Sequence, residues 1–202
     1  MTPHLRARDT VLDIGCGPAL VTWHLGMRHR GPILAVDIVD SRIKPTSHFA
    51  LYNGIHLPFE DDSIDVAMLN FVLHHVPNDT KPAVLAEVHR VVRHRVIVME
   101  DTPRNFMDRI FNRRHGETFR RSIGSTAGFG FFNQAEWELV FNDHGFVVKQ
   151  SIAIGRFARD WKQPYARSCF VLEKSTPRPD VAVRARFAER AASASHVEEP
   201  RA

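Results

Sequence analysis

Short apolar segments alternate with amphipathic ones along most of the chain. Residues 10–14 and 33–38 read TVLDI and ILAVDI, and residues 19–28 between them carry apolar side chains at helical spacing. This pattern predicts a strand, a helix and a second strand, with both strands parallel and buried on both faces. The predicted inward face of the helix consists of Leu20, Trp23, His24 and Met27.

The alternation continues towards the carboxyl terminus. Further strands are predicted at residues 49–52, 64–69, 95–99, 146–154 and 168–173, and helices at residues 81–91, 105–112 and 134–144. The apolar stripe of the 105–112 helix, Phe106, Met107, Ile110 and Phe111, is expected to be core rather than pocket. Strands that alternate with helices in this way predict an α/β fold with a doubly wound sheet.

Composition predicts one globular domain with a tail. The 202 residues are 44% hydrophobic and 25% charged, which excludes a largely disordered chain and a disulfide scaffold. We expect residues 1–174 to form the domain and residues 175–202, where apolar density falls, to be disordered or weakly helical. A net charge of +4 is too small for a dedicated nucleic-acid binder.

Sequence features also predict a cellular compartment. No apolar run approaches the roughly 18 residues of a membrane span, and the first nine residues lack the apolar core of a signal peptide. The two cysteines, Cys16 and Cys169, are far apart and form no partner motif, so we expect free thiols in a reducing compartment. The expected localisation is cytoplasmic, with no membrane partner.

The turn after the first strand carries the candidate chemistry. Gly15 and Gly17 lie between a buried strand and a helix, where glycine lets a ligand approach the backbone, and Pro18 suits the helix start. A dinucleotide fingerprint requires a third glycine, and Leu20 occupies its position. The turn alone therefore indicates a nucleotide site only weakly.

Polar residues at other strand ends strengthen that interpretation. Asp37 ends the second strand about twenty residues after Gly17, where an acid can accept hydrogen bonds from both ribose hydroxyls. Residues 53–54 (Asn-Gly) and 70–71 (Asn-Phe) follow the third and fourth strands. Because doubly wound sheets bind ligands at the carboxyl ends of their strands, these positions predict a site for an adenosine with a compact tail.

Five segments together resemble one family. They are VLDIGCG at 11–17, VD at 36–37, LPFEDDSID at 57–65, LHHV at 73–76 and AEVHRVV at 86–92. In this order they resemble class I S-adenosylmethionine-dependent methyltransferases of the small-molecule type 11 branch, over roughly residues 10–174. The resemblance implies a Rossmann-like, mostly parallel seven-stranded sheet with an antiparallel last strand and helices on both faces.

The resemblance also implies the cofactor, S-adenosyl-L-methionine, and roles for single residues. Asp13, Gly15 and Gly17 would border its methionine portion, with Cys16 in the same turn. Asp37 would bind the ribose, and Ile38, Asn53 and Gly54 would lie beside the adenine. Asn70 would lie close to the sulfonium, and Phe71 and His75 would face the substrate.

The chain departs from the family pattern at three places. Ala19 replaces the family's third glycine. Only 15 residues separate Asp37 from Asn53, and they include Pro45, so the helix normally found there is expected to be shortened or lost. Nine residues precede the first strand, where relatives carry a helical lid. An open site, a lid supplied by a partner or second subunit, and a truncated chain all remain open.

Methyl transfer to a small molecule is the predicted activity. The sulfonium is already an activated leaving group, so in-line displacement by an oxygen, nitrogen or carbon nucleophile needs alignment first. A hydroxyl acceptor would also use a base, for which His75 ranks above His74 and His115. No metal is expected, because adjacent histidines point apart and no third ligand is placed by spacing.

Other functions are weighed against this one. The run after the fourth strand, NFVL at 70–73, lacks the Pro-Pro of enzymes that methylate base amines, and no cysteine lies near that cleft for attack on cytosine. Nucleic-acid substrates are therefore not expected. A non-catalytic methyltransferase-like partner module remains an alternative, and a nicotinamide-dependent oxidoreductase is disfavoured by Leu20.

Overall fold

The apolar segments form one seven-stranded sheet in the computed structural model, which describes residues 4–106, 108–110, 112, 130–154 and 166–175. The strands are β1 (Val11–Ile14), β2 (Ile33–Asp37), β3 (Phe49–Leu51), β4 (Ile64–Asn70), β5 (Val92–Asp101), β6 (Phe146–Ile154) and β7 (Arg167–Lys174). The helices are α1 (Leu20–Gly26), α2 (Lys81–Val91) and α3 (Gln134–Asp143), with a 3-10 turn at Leu73–His75.

The strand order places the candidate site. Neighbours follow the order β3-β2-β1-β4-β5-β7-β6, and β1 to β5 run parallel while β7 is antiparallel to both of its neighbours. After β1 the chain builds β2 and β3 on one side and then crosses to β4 on the other. The crevice at the carboxyl ends of β1 and β4 is therefore the switch point where such sheets bind ligands. This topology confirms the predicted fold class.

An aromatic cluster fixes α3 against the sheet. The rings of Trp137 and Phe141 stack with centroids 5.4 Å apart, and Phe141 meets Phe170 of β7 edge-on at 5.3 Å. All three side chains are fully buried. The helix begins with a capping box, in which Asn133 and Glu136 each accept the other's backbone N–H. The sequence predicted this helix with nearly the same bounds.

The predicted inward face of α1 is wrong. Thr22 and Leu25 are its buried residues, whereas Leu20 is 45% and Met27 is 55% exposed. The helix begins at Leu20, after Ala19 in the left-handed conformation, so Pro18 lies outside it. The inward face is then set by Leu25 and by the Thr22 hydroxyl, which donates to a buried carboxylate of β1.

Two other segments depart from a simple amphipathic pattern. Residues 106, 108–110 and 112 are helical, but Phe106 is 75% exposed while Asp108 and Asn112 are buried. The expectation that Phe106 is core is therefore wrong, because Asp108 turns inward and accepts the backbone N–H of Arg104 at 2.9 Å. Met107 and Phe111 lie outside the described side chains. Residues 38–48 contain no helix, as their shortness predicted.

The helices of the described ranges are short. None of them is long and apolar enough to cross a membrane. The predicted tail falls on residues 176–202, apart from Ser175, and these lie outside the described part of the chain.

Replacing Phe141 with alanine tests the aromatic cluster. We expect Phe141→Ala to lower the free energy of unfolding by about 3–5 kcal/mol, because it leaves a cavity between Trp137 and Phe170. Urea denaturation measures this loss. Leu139→Ala is the matched control, since Leu139 lies on the same helix and is 48% exposed. Equal losses in the two variants would contradict this assignment of the core.

Candidate functional site

The turn that follows β1 is built from left-handed residues. Gly15, Gly17 and Ala19 have φ values of 68°, 50° and 59°. A Cβ on Gly15 would lie 2.6 Å from Cγ2 of Val72, so both conformation and space require glycine there. Cys16 lies in the same turn and is buried, and burial raises the pKa of its thiol to about 12. Its thiol therefore stays protonated and is not a nucleophile at neutral pH.

Asp37 connects this turn to the end of β2. Its Oδ2 accepts the backbone N–H of Gly17 at 2.7 Å, and its Oδ1 accepts the N–H of Ile38 at 2.7 Å. Each carboxylate oxygen can accept more than one hydrogen bond, so donors from a ligand can still be bound. The sequence placed Asp37 and Gly17 in one site, and the structure brings them into direct contact.

A chain of buried polar groups lies beneath the turn. Asp13 is almost fully buried, and its carboxylate accepts Thr22 Oγ1 at 2.6 Å and Asn70 Nδ2 at 3.4 Å. Burial raises its pKa to about 6. The other side-chain atom of Asn70, Oδ1, is also buried, and within the described part of the chain it accepts no hydrogen bond. Such an orphan acceptor costs roughly 1–3 kcal/mol and suits a ligand that donates hydrogen bonds.

The predicted adenine side is assembled from three loop residues. Ile38 is exposed, and Gly54, with φ of 85°, packs so close that a Cβ there would lie 3.3 Å from Ile38 Cγ2. Asn53 is exposed, and its Oδ1 accepts the backbone N–H groups of Ile55 and His56 at 3.0 and 2.7 Å. The side-chain oxygen of Asn53 thus stabilises the turn after β3. The side-chain NH₂ group of Asn53 is the part that could donate to a ligand.

Phe71, which was predicted to face the substrate, lies at the same edge of the sheet. It directly follows β4 with φ of 60°, a conformation that a bulky side chain rarely adopts. Its backbone N–H donates to Met99 O at 2.7 Å, and the guanidinium of Arg167 lies 5.0 Å above its ring. Backbone strain of this kind costs about 1–3 kcal/mol and concentrates at functional sites.

Glu100 and His74 form a buried pair that the sequence did not predict. Glu100 Oε1 accepts the N–H of Leu73 at 2.7 Å, and Oε2 bonds to His74 Nδ1 at 2.5 Å. Both side chains are fully buried, and burial raises the pKa of Glu100 to about 8. The sequence did contain one signal for this pair: Glu100 is an acidic residue near the end of β5, as Asp37 is at the end of β2. The carboxylate-held histidine is thus His74, whereas His75 is half-buried with its ring 4.0 Å from that of His74.

Lys81 is a second buried charge that sequence reasoning missed. Its Nζ donates to Val76 O at 2.5 Å and to Asn78 Oδ1 at 2.8 Å, and its side chain is fully buried at the start of α2. Burial lowers its pKa to about 7. Nothing in the local pattern signals this, because lysine on a helix is ordinarily exposed. Lys81 secures the segment that follows the 3-10 turn.

One family model matches the part of the chain that contains this site. Residues 12–99 match a family described as "Methyltransferase domain". The resemblance to methyltransferases inferred from the sequence is confirmed over these residues, which are less than half of the chain. The match covers every predicted cofactor-site residue, from Asp13 to Phe71, together with His75.

Curated relatives match less than half of the chain. A demethylmenaquinone methyltransferase of Alkalihalophilus pseudofirmus is 34% identical over an alignment of 98 residues, and the match covers 42% of this chain and 41% of the relative. The mitochondrial arginine-hydroxylase NDUFAF5 of Mus musculus is 33% identical over an alignment of 96 residues, and the match covers 43% of this chain and 27% of the relative. The match therefore spans less than half the length of each relative.

Solved structures share the fold over most of the chain. A methyltransferase from Methanosarcina mazei described as SAM-dependent has a TM-score of 0.67 and 19% identity, covering 86% of this chain and 96% of that one. The 1,6-didemethyltoxoflavin-N1-methyltransferase of Burkholderia thailandensis, solved with S-adenosylhomocysteine, has a TM-score of 0.65 and 18% identity, covering 86% and 74%.

The buried Asp13 carboxylate makes stability depend on pH. Its folded pKa of about 6 exceeds the ordinary 3.8, so the wild type loses stability as pH rises through that window. We therefore compare the free energy of unfolding of Asp13→Asn with that of the wild type at two pH values. We expect the variant-minus-wild-type difference to be up to about 3 kcal/mol more positive near pH 7.5 than near pH 3.5. Urea titrations at both pH values measure the difference. Asp65→Asn is the control, and an equal difference at both pH values would contradict the prediction.

Proposed function

We propose that the chain binds S-adenosylmethionine at the carboxyl ends of β1, β2 and β4 and transfers its methyl group to a small-molecule acceptor. The observation that carries the proposal is the glycine turn held by the hydrogen bond from Gly17 to Asp37, at the sheet edge where Asn70 Oδ1 is buried without a donor in the described part of the chain. The family match and the shared fold support it.

The residues present fit the charges of this cofactor. Its methionine portion carries an ammonium group and its sulfur is cationic, which suits the Asp13 carboxylate and Asn70 Oδ1. The ribose carries two hydroxyl donors, for which the remaining lone pairs of Asp37 are suitable acceptors. The exposed Ile38 side chain offers an apolar surface to an adenine ring.

When bound, the cofactor supplies a methyl group on an activated leaving group. The protein must then align an acceptor about 3 Å from that methyl group and exclude water. Phe71 is the aromatic residue that we propose for this task, because it directly follows β4 and has a strained backbone. An aromatic face also favours a neighbouring cation.

His75 is the proposed base for an oxygen acceptor. It is half-buried, whereas its neighbour His74 is fully buried and bonded to Glu100. A group that removes a proton from an acceptor must be reachable, so the geometry favours His75 over His74. An acceptor whose reacting group is acidic enough to ionise without a base would need only to be aligned with the methyl group.

The acceptor class is inferred and calls for direct measurement. One curated relative is described as a methyltransferase and another as an arginine hydroxylase, although their identities to this chain are nearly equal. Fold and family therefore do not fix the chemistry.

Incubation with methyl-labelled cofactor and fractionated small metabolites tests the proposal. We expect S-adenosylhomocysteine to accumulate together with one labelled product. Cofactor binding without turnover in any fraction would favour the non-catalytic module, and the absence of binding in isothermal titration would overturn the cofactor assignment.

Asp37→Asn tests the ribose assignment. We expect it to weaken S-adenosylhomocysteine binding by about 1.5–3 kcal/mol, because charge-assisted hydrogen bonds to the ribose and to Gly17 are replaced by neutral ones. Isothermal titration measures the change. Asp40→Asn, three residues away and exposed, is the matched control. Unchanged affinity in Asp37→Asn would remove the assignment.

His75→Ala tests the proposed base. With an oxygen acceptor found by the labelling screen, we expect methyl transfer to slow about 10²-fold or more, while cofactor affinity stays within a factor of about two. His56→Ala is the control, since His56 is exposed in the loop after β3. A near-normal rate in His75→Ala would contradict the assignment of His75 as the base and would leave alignment of the acceptor with the methyl group as the mechanism.

A further inference from the structure

A second concave site lies away from the glycine turn. It is a cleft of about 420 Å³ between α1, residues 29–33 and residues 45–48. These segments lie at the amino ends of β2 and β3, whereas the candidate cofactor site lies at the carboxyl ends. Residues 38–48, which join β2 to β3, form no helix, and residues 45–48 of this segment make one wall of the cleft. Its volume lies within the range of small-molecule sites.

One side of the cleft is apolar. It is lined by Trp23 of α1, by Met27 directly after that helix and by Ile33 of β2. Trp23 and Met27 belong to the face that the sequence pattern predicted to be core, yet Met27 is 55% exposed. An indole ring and a flexible thioether at the mouth of a cleft form a surface suited to an aromatic ring.

The other side is rich in hydrogen-bonding groups, with His29, Thr46, Ser47 and His48 as its lining residues. Lys44 is not a lining residue, but its Nζ lies 4.6 Å from the ring centroid of Trp23 and so brings a cation to the margin of the cleft. No carboxylate lines it among the described residues, and nearby Asp40 is bonded to the guanidinium of Arg42. Arg42 also donates to Thr46 Oγ1 at 2.9 Å, which holds the segment in place. The charge on this side favours an anionic group.

We propose that the cleft binds a small aromatic carboxylate. Its ring packs against Trp23 and Met27, and its carboxylate lies towards Lys44 and the hydroxyls of residues 46–47. The two chemical halves of the cleft select for both parts of such a ligand. The cleft and the candidate cofactor site meet at Thr22, which lines the cleft and whose hydroxyl donates to the Asp13 carboxylate. The ligand contacts proposed here do not involve Asp13, Asp37 or Asn70, and their tests do not use methyl transfer.

A set of three probes with one ring tests the charge preference. Indole-3-acetate, indole-3-acetamide and tryptamine carry negative, zero and positive charge, and isothermal titration against the full chain compares them. We expect saturable binding of indole-3-acetate, about two- to five-fold weaker binding of the amide, and still weaker binding of tryptamine. Equal affinities, or no saturable binding of indole-3-acetate, would overturn the proposal.

Substitutions in the cleft test its location. A Cβ on Gly26 would lie 3.9 Å from Ile33 Cδ1, so Gly26→Ala fits and Gly26→Leu fills the cleft. We expect Gly26→Leu to weaken indole-3-acetate binding at least about ten-fold while Gly26→Ala keeps most of it. Thermal melting identifies any variant that has lost its fold.

Lys44→Gln provides a second test that does not depend on filling the cleft. We expect it to weaken indole-3-acetate about two- to five-fold and to leave indole-3-acetamide unchanged. Lys149→Gln on β6 is the matched surface control. Binding that survives Gly26→Leu in a folded protein, or an equal loss for both probes in Lys44→Gln, would refute the assignment.

Discussion

One hydrogen bond, from the Gly17 amide to the Asp37 carboxylate, supports the geometry of the candidate cofactor site. It fixes the turn after β1 against the end of β2 and so determines where α1 begins. The start of α1 in turn places Thr22 over the Asp13 carboxylate, and Asp13 holds the amide of Asn70. Three strands thereby contribute polar groups to one edge through a continuous set of contacts.

That edge is also where the fold places its costly groups. Asp13, Glu100 and Lys81 are buried and ionisable, and burial shifts the pKa of each towards the neutral form. A core built for stability alone would place apolar side chains there. Buried ionisable groups at this edge depart from the apolar pattern expected of a core, and such departures are typical of a functional site.

The sequence predicted the features that depend on local pattern. The bounds of α2 and β6 match their hydrophobic periodicity, and the glycine turn and Asp37 were placed in one site. It did not predict the inward face of α1, because one left-handed alanine, Ala19, sets the helix phase. Nor did it reveal the strained Phe71 or the contact between His74 and Glu100, which joins residues 26 positions apart. Backbone strain and long-range pairing leave no periodic signal.

The position of β7 in the sheet has a consequence for the order of assembly. All the strands that frame the glycine turn occur within residues 11–101, and their pairings are parallel neighbours in that stretch. Among the described residues, the side of β5 away from β4 pairs with Arg167–Lys174, whose partners in β5 lie more than sixty positions earlier. Because residues 11–101 are synthesised before Arg167–Lys174, a chain emerging from the ribosome can pair β1 to β5 before β7 exists. Until β7 is made, β5 presents an open edge.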